Sequence, residues 1–178
     1  MLYETRLTIL PEWIDENGHM NVAYYVLAFD LATDTVYKDW FGDNYTMRGF
    51  SAFTLGMNVD YVGELLEGDT VRITTQLMDW DKKRLHYFHE MYNAETGTLA
   101  ARNECLSIGV NLETRRSAPF PQPVQVRLTE VFAAHQALPT PEGFGRKLGI
   151  RRKSLSGHPA RKLRDDKITL WRILVSHG

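Results

Sequence analysis

The sequence holds one cysteine, Cys105, in 178 residues. A single thiol excludes an internal disulfide and any cysteine-rich zinc site. The simplest compartment for such a chain is a reducing one, and the expected location is cytoplasmic. Long apolar runs are also missing. No stretch approaches the ~18 residues a membrane span needs, and no membrane partner is expected. The first residues, MLYETRLTILPEW, carry Glu4 early and lack the long apolar core of a secretory signal. There is no glycine-rich phosphate loop, no dinucleotide fingerprint and no internal repeat. Ser51 and Ser107 lack the Gly-x-Ser-x-Gly setting of a serine hydrolase. Net charge is nearly absent as well, at −1, which gives no hint of a polyanionic partner. That figure hides an asymmetry. Residues 1–150 carry 13 basic and 20 acidic side chains, whereas residues 151–178 carry 8 basic and 2 acidic ones.

What is present reads as one globular domain of ordinary composition. The chain is 43% hydrophobic and 24% charged, which excludes wholesale disorder. Residues 3–10 alternate loosely as a strand that Pro11 stops. Then the period changes. Val22, Tyr25, Val26, Phe29, Thr33, Val36, Tyr37 and Trp40 recur at helical spacing. Asn21 is the expected N-cap and Gly42 the expected stop. Tyr24, Leu27, Ala28 and Leu31 add apolar surface to other sides, so this helix is expected to be buried by more than one layer. Strands follow at 49–61, 71–77, 84–92 and 99–112, with Val71, Ile73, Thr75 and Leu77 on one face. PFPQP at 119–123 reads as a stiff break, and 126–138 as a second, shorter helix. Helix and strands are segregated along the chain, which predicts an α+β fold. A single curved sheet around a long helix leaves an edge and an outer face, so a homo-oligomer is expected.

The segment Trp13-Ile14-Asp15-Glu16-Asn17-Gly18-His19-Met20-Asn21 sets a carboxylate, an imidazole and an amide before the start of that helix. Free N–H groups and the helix dipole at such a start favour developing negative charge. A thioester carbonyl placed over them would be polarised toward an oxyanion. Asp15 would then attack the carbonyl or activate a water, and Gly18 would let the backbone approach a ligand. The plainer reading of the same residues is an Asx-rich turn that caps a helix. Spacing alone does not separate the two.

The run P-E-W-I-D-x-N-G-H-M-N-V-x-Y-Y resembles the hotdog-fold acyl-CoA thioesterases of the 4-hydroxybenzoyl-CoA thioesterase type. The similarity continues through GDTVRITTQLMDWDKKRLHYFHEMYNAETGTLAARNE and TRRSAPFP, covers residues 3–138, and is specific in its D-x-x-G-H-x-N-x-x-Y core. It looks nearest to the carnitine-pathway members that hydrolyse betainyl-CoA. The resemblance implies a hotdog domain over residues 1–140, followed by a loop and basic extension at 141–178. It implies an acyl-CoA substrate, a homodimer or homotetramer, and no metal or redox cofactor. It places the catalytic carboxylate on Asp15, assisted by His19 and Asn21, with the backbone amides of Asn21 and Val22 as the oxyanion site. Nucleophile and general base both remain open as the role of Asp15. Relatives are expected to carry a His-Val-Asp-like element where this chain reads Gly109-Val110-Asn111. That departure keeps open a non-catalytic acyl-CoA binder. A hotdog hydratase or dehydratase is the other alternative, although His19 precedes the helix rather than lying on it.

The remaining candidates are weaker. His86 and His89 lie three apart in one strand and point to opposite faces. They make no metal pattern with His19, and His89 beside Glu90 would suit a subunit contact. Lys82, Lys83, Arg84, Arg115 and Arg116 are either solvated charges or contacts for CoA phosphates. Trp13, Tyr24, Tyr25, Phe53 and Tyr61 read mostly as core, though Trp13, Tyr24 and Tyr25 are placed to touch the acyl group. Aromatic faces attract quaternary ammonium groups, with Glu16 and Asp60 as acidic neighbours. Cys105, inside a strand, reads as buried rather than nucleophilic. The basic tail lacks any nucleic-acid-binding module, and no nucleic-acid partner is expected.

Overall fold

Asn21 begins the long helix as its side chain suggests. Its Oδ1 accepts the Ala23 N–H at 3.0 Å, and helix α1 spans Val22–Phe41. It ends at Gly42, whose φ of 82° disfavours any side chain. The structure, a computed structural model, describes residues 2–148. The basic segment 151–178 lies outside the described residues.

Around α1 the chain forms β1 (Tyr3–Thr8), β2 (Phe50–Tyr61), β3 (Thr70–Trp80), β4 (Arg84–Asn93), β5 (Leu99–Asn111), the two-residue β6 (Arg116–Ser117) and α2 (Gln122–His135). The strands form one antiparallel sheet in the order β1-β3-β4-β5-β2, with β6 beside the end of β5. Val71, Ile73, Thr75 and Leu77 share the inner face, each exposed by 1% or less. Phe29 and Ala32 of α1 pack with Val71 and Ile73, and Val36 and Trp40 pack with Leu77 and Tyr87.

The expected burial of α1 on several sides is not met within one chain. Leu27 and Leu31 keep 39% and 37% of their surface exposed. They lie one turn apart on the side opposite Ala28, Phe29, Ala32 and Val36, and the sheet covers only that second side. His89 also departs from expectation. It is fully buried rather than placed at a subunit contact. Its Nε2 lies 3.1 Å from Thr33 Oγ1 and its Nδ1 2.8 Å from Thr75 Oγ1, with the ring stacked on Phe29. Burial pushes its pKa down to about 3. His86 lies on the other face, as the spacing predicts, and meets Glu104 at 2.8 Å. Cys105 is buried, which pushes its thiol up to about 12.

The second helix begins at Gln122, four residues before the expected start. Pro123 stiffens its first turn rather than breaking the chain, because an N–H there has no helical acceptor to lose. The helix closes the far edge of β3. β1 pairs with β3 only as far as Thr75, and beyond it the Leu77 N–H donates to His135 Nδ1 at 2.9 Å. Arg127 links α2 to Asp39 at 2.7 Å and to the Tyr3 hydroxyl at 3.3 Å. Residues 142–146 then cross the outer face of the sheet. Phe144 packs on His86, the Gly145 N–H donates to Glu104, and Arg146 pairs with Asp60. Among the described residues no helix is long and apolar enough to cross a membrane.

Candidate active site

Residues 13–21 fold back as a small hairpin. The Asn21 N–H donates to the Trp13 carbonyl at 2.9 Å, and the Asp15 N–H to the His19 carbonyl at 3.0 Å. Gly18 turns the corner with φ 80°, a conformation that favours glycine. No atom comes within 4 Å of its absent Cβ, so the backbone conformation, rather than crowding, is what calls for glycine. Met20 is fully buried, and its N–H donates to the Leu65 carbonyl at 2.8 Å, which anchors the hairpin to the body.

The Asp15 carbonyl accepts the Gly18 N–H at 3.0 Å, so Gly18 and His19 together stand across from Asp15 as a bulge at the end of the Ile14–Met20 bridge. The Asn17 N–H donates to Asp15 Oδ1 at 2.8 Å, an Asx turn that orients the carboxylate. Its other oxygen has no partner among the described residues. His19 Nδ1 lies 3.2 Å from the Met20 carbonyl. A carbonyl only accepts, so that bond puts the proton on Nδ1 and leaves Nε2 of the neutral ring as an acceptor.

The helix start offers one open donor. Ala23 N–H is held by the Asn21 side chain, and Tyr24 N–H by the Asn21 carbonyl at 2.9 Å. Val22 N–H has no partner among the described residues. The expected pair of oxyanion amides is therefore corrected: the Asn21 N–H is already donated to Trp13, and Val22 alone is free among the described residues of this turn.

Beside this start lies an open cavity of about 220 Å³. His19, Val22 and Tyr25 line one side, and Tyr61, Gly63 and Glu64 the other. The Tyr25 hydroxyl donates to the Gly63 carbonyl at 3.1 Å, and the Tyr25 and Tyr61 rings meet edge to face at 5.3 Å. Trp13 is buried and stacks on Tyr24 at 5.6 Å.

The comparisons with known proteins join this geometry to chemistry. The model of the thioesterase-like superfamily matches residues 9–128. The chain belongs to that superfamily. It is 41% identical over 150 residues to a betainyl-CoA thioesterase of Pseudomonas aeruginosa, covering 83% of this chain and 93% of that one. It is 31% identical over 141 residues to the L-carnitine dehydrogenase/betainyl-CoA thioesterase of Rhizobium meliloti, covering 79% of this chain and 28% of that larger protein. A hypothetical protein from Staphylococcus aureus, solved in complex with CoA, aligns with a TM-score of 0.78 and 31% identity over 85% of this chain and 96% of that one. The fold is the hotdog fold, and this superfamily member is an acyl-CoA thioesterase.

Within the thioesterase, the structure gathers only part of the expected set. Trp13, Asp15, His19, Asn21, Val22, Tyr24 and Tyr25 all lie in the hairpin or the first turn of α1. The basic residues do not join them in one chain. Lys82, Lys83 and Arg84 sit at the start of β4, while the cavity lies by the far end of that strand, where Val62 and Gly63 donate to the Ala100 carbonyl. At ~3.3 Å per residue the two ends are roughly 25 Å apart. Arg84 is held by Asp81 at 2.5 Å, and Arg115 lies over Phe53 at 5.3 Å, next to Arg116 at that same distant end. Asp60 is not an acidic neighbour of the cavity, because Arg146 engages it on the outer face. Glu16 is exposed in the hairpin turn. The acid that does line the cavity, Glu64, was missed. It follows the end of β2 in an unremarkable Gly-Glu-Leu-Leu run, and only the return of that strand to the hairpin brings it here.

Gly109 and Asn111, where a His-Val-Asp-like element is expected, each have a local part in the structure. A Cβ on Gly109 would stand 2.7 Å from the Ala118 carbonyl oxygen and 3.0 Å from the Phe120 ring. Asn111 Oδ1 accepts the Thr114 N–H at 2.8 Å and so shapes the turn into β6. Both residues serve the path of 112–120.

Proposed function

We propose that this thioesterase hydrolyses betainyl-CoA to trimethylglycine and CoA thiol. The observation that carries the reading is the Asp15–His19 pair beside the open Val22 N–H at the start of α1. The Pseudomonas aeruginosa relative supports the choice of acyl group. The carbonyl oxygen takes the Val22 N–H and the positive end of the helix dipole. Asp15 acts on the carbonyl carbon directly or through a water whose proton it accepts. The C–S bond breaks and the sulfur leaves as the CoA thiolate, which takes a proton. Where a water attacks, its oxygen enters the new carboxylate directly. Where Asp15 attacks, water then splits the acyl–Asp15 anhydride at the Asp15 carbon, so that an Asp15 oxygen leaves with the acid. His19, with Nε2 open, orients the water or the thioester, and Asn21 holds the helix start in shape. Trp13 and Tyr24 back the acyl side. The reaction as written needs no metal or redox cofactor. Lys82, Lys83, Arg84, Arg115 and Arg116 are proposed to meet the CoA phosphates from a second copy, in a cytoplasmic homodimer or homotetramer. Leu55 and Met57 on the unpaired edge of β2, 38% and 44% exposed, support such an assembly.

Thiol release measured over a panel that includes betainyl-CoA and 4-hydroxybenzoyl-CoA tests the reading. Asp15→Asn is expected to lower kcat at least ~100-fold. Unchanged release in that variant would defeat the mechanism. Binding without turnover across the panel would make the protein an acyl-CoA binder. Single-turnover hydrolysis in ¹⁸O-water separates the two roles of Asp15, since only a nucleophilic carboxylate acquires label.

A further inference from the structure

We infer that Tyr25, Tyr61 and Glu64 form the seat for the cationic head of the acyl group and so set the preference for a charged substrate. The inference rests on the betainyl-CoA reading and assigns residues to it. Three observations carry it. First, the cavity is small, at about 220 Å³, below the ~300 Å³ where drug-sized sites begin. A compact head fills a cavity of this size. Second, among the described residues the only side chain of fixed charge lining it is the carboxylate of Glu64, and no lysine or arginine contributes. An anionic head meets repulsion there, and a cation meets attraction. Third, Tyr61 is 49% exposed at the cavity, and the buried Tyr25 ring meets it edge to face at 86° and holds it in place. Ring faces attract quaternary ammonium groups. The Tyr25 hydroxyl is tied to Gly63, and the Tyr61 hydroxyl reaches the Val22 carbonyl at 3.4 Å, so both phenols are turned toward the protein.

The spacing agrees with the substrate. Tyr25 follows Val22 by three residues on one helix face, ~4.5 Å along the axis. In the betainyl group a single methylene separates the carbonyl from the ammonium. A carbonyl held at the Val22 N–H keeps the ammonium, one methylene away, inside the cavity that Val22 lines together with Tyr25, Tyr61 and Glu64. A quaternary ammonium has no proton to give, so Glu64 acts through charge and needs no close hydrogen bond.

The test uses 3,3-dimethylbutyryl-CoA, which replaces the quaternary nitrogen with carbon and keeps the shape. The readout is the ratio of kcat/KM for betainyl-CoA to that for this neutral isostere, measured on the full chain. The wild type is expected to favour betainyl-CoA at least tenfold. Glu64→Gln is expected to lower the ratio about fivefold, and Tyr61→Leu about tenfold, while Tyr61→Phe, which keeps the ring, restores it. A wild-type ratio near one, or variants that slow both substrates equally, overturns the seat and leaves the hydrolase standing. No thiol release from either substrate overturns the seat and the proposed function together.

Discussion

His89 carries a polar ring into the centre of the molecule, and the core accepts it only because threonines meet both nitrogens. Its cost appears with pH. The unfolded ring titrates near 6.5, whereas the folded one is held down to about 3. Between those values the unfolded chain binds the extra proton. Stability is therefore expected to fall as pH drops from about 6.5 toward 3, by up to ~1.4 kcal/mol per pH unit from this group. Urea midpoints across that range should show a shallower acid limb in His89→Gln than in the wild type. An identical limb in both would mean the ring does not stay neutral. The sequence placed His86 and His89 on opposite faces from their spacing alone. It did not reveal that the inward one is sealed from a subunit contact, because Thr33 and Thr75 come from elements 56 and 14 residues away.

At the scale of elements, periodicity carried far. The Asn21 cap, the Gly42 stop and the inward set on β3 follow from side-chain pattern and local chemistry. The start of α2 did not, because Pro-x-Pro signals both a break and a helix's first turn, and only the docking of Val124 and Leu128 into the core selects the second. The hairpin at 13–21 was legible as a turn. Its closure onto the body, through Met20 and Leu65, depends on a pairing that no local pattern encodes. The same holds for Glu64, whose place at the cavity comes from where β2 ends. β5 offers a direct test of packing. Gly109→Ala forces the 118–120 segment away from the strand and is expected to destabilise the protein by about 1–3 kcal/mol. Thermal or urea unfolding reads this, and a shift under roughly 0.5 kcal/mol would show that the segment yields freely.

For the molecule as a whole, residues 142–146 belong to the outer face of the sheet. Phe144 covers His86 and Phe88, and Glu142 and Arg146 engage Arg102 and Asp60. A chain ended after Leu148 is expected to keep its thiol release and its oligomeric mass. One ended after Thr140 is expected to lose stability and expose Phe88. Assay, light scattering and unfolding on the two truncations check this, and loss of activity in the longer one would make residues 149–178 part of the catalytic protein. The near-zero net charge is uninformative at this scale, because the proposed chemistry rests on single charges in place, such as Asp15 and Glu64.

The Trp13–Asn21 hairpin is closed by main-chain hydrogen bonds, and the side chains proposed to act on the thioester, Asp15 and His19, are carried on that frame. Shape and reactivity are thus encoded separately within nine residues. Position 16, exposed at the tip, is free to vary without moving Asp15, whereas position 18 must remain glycine for the turn to close. A saturation library over 15–19 would accordingly show wide tolerance at 16 and strict identity at 15 and 18. The motif is thereby a natural place to change the tip while leaving the proposed reaction centre where it is.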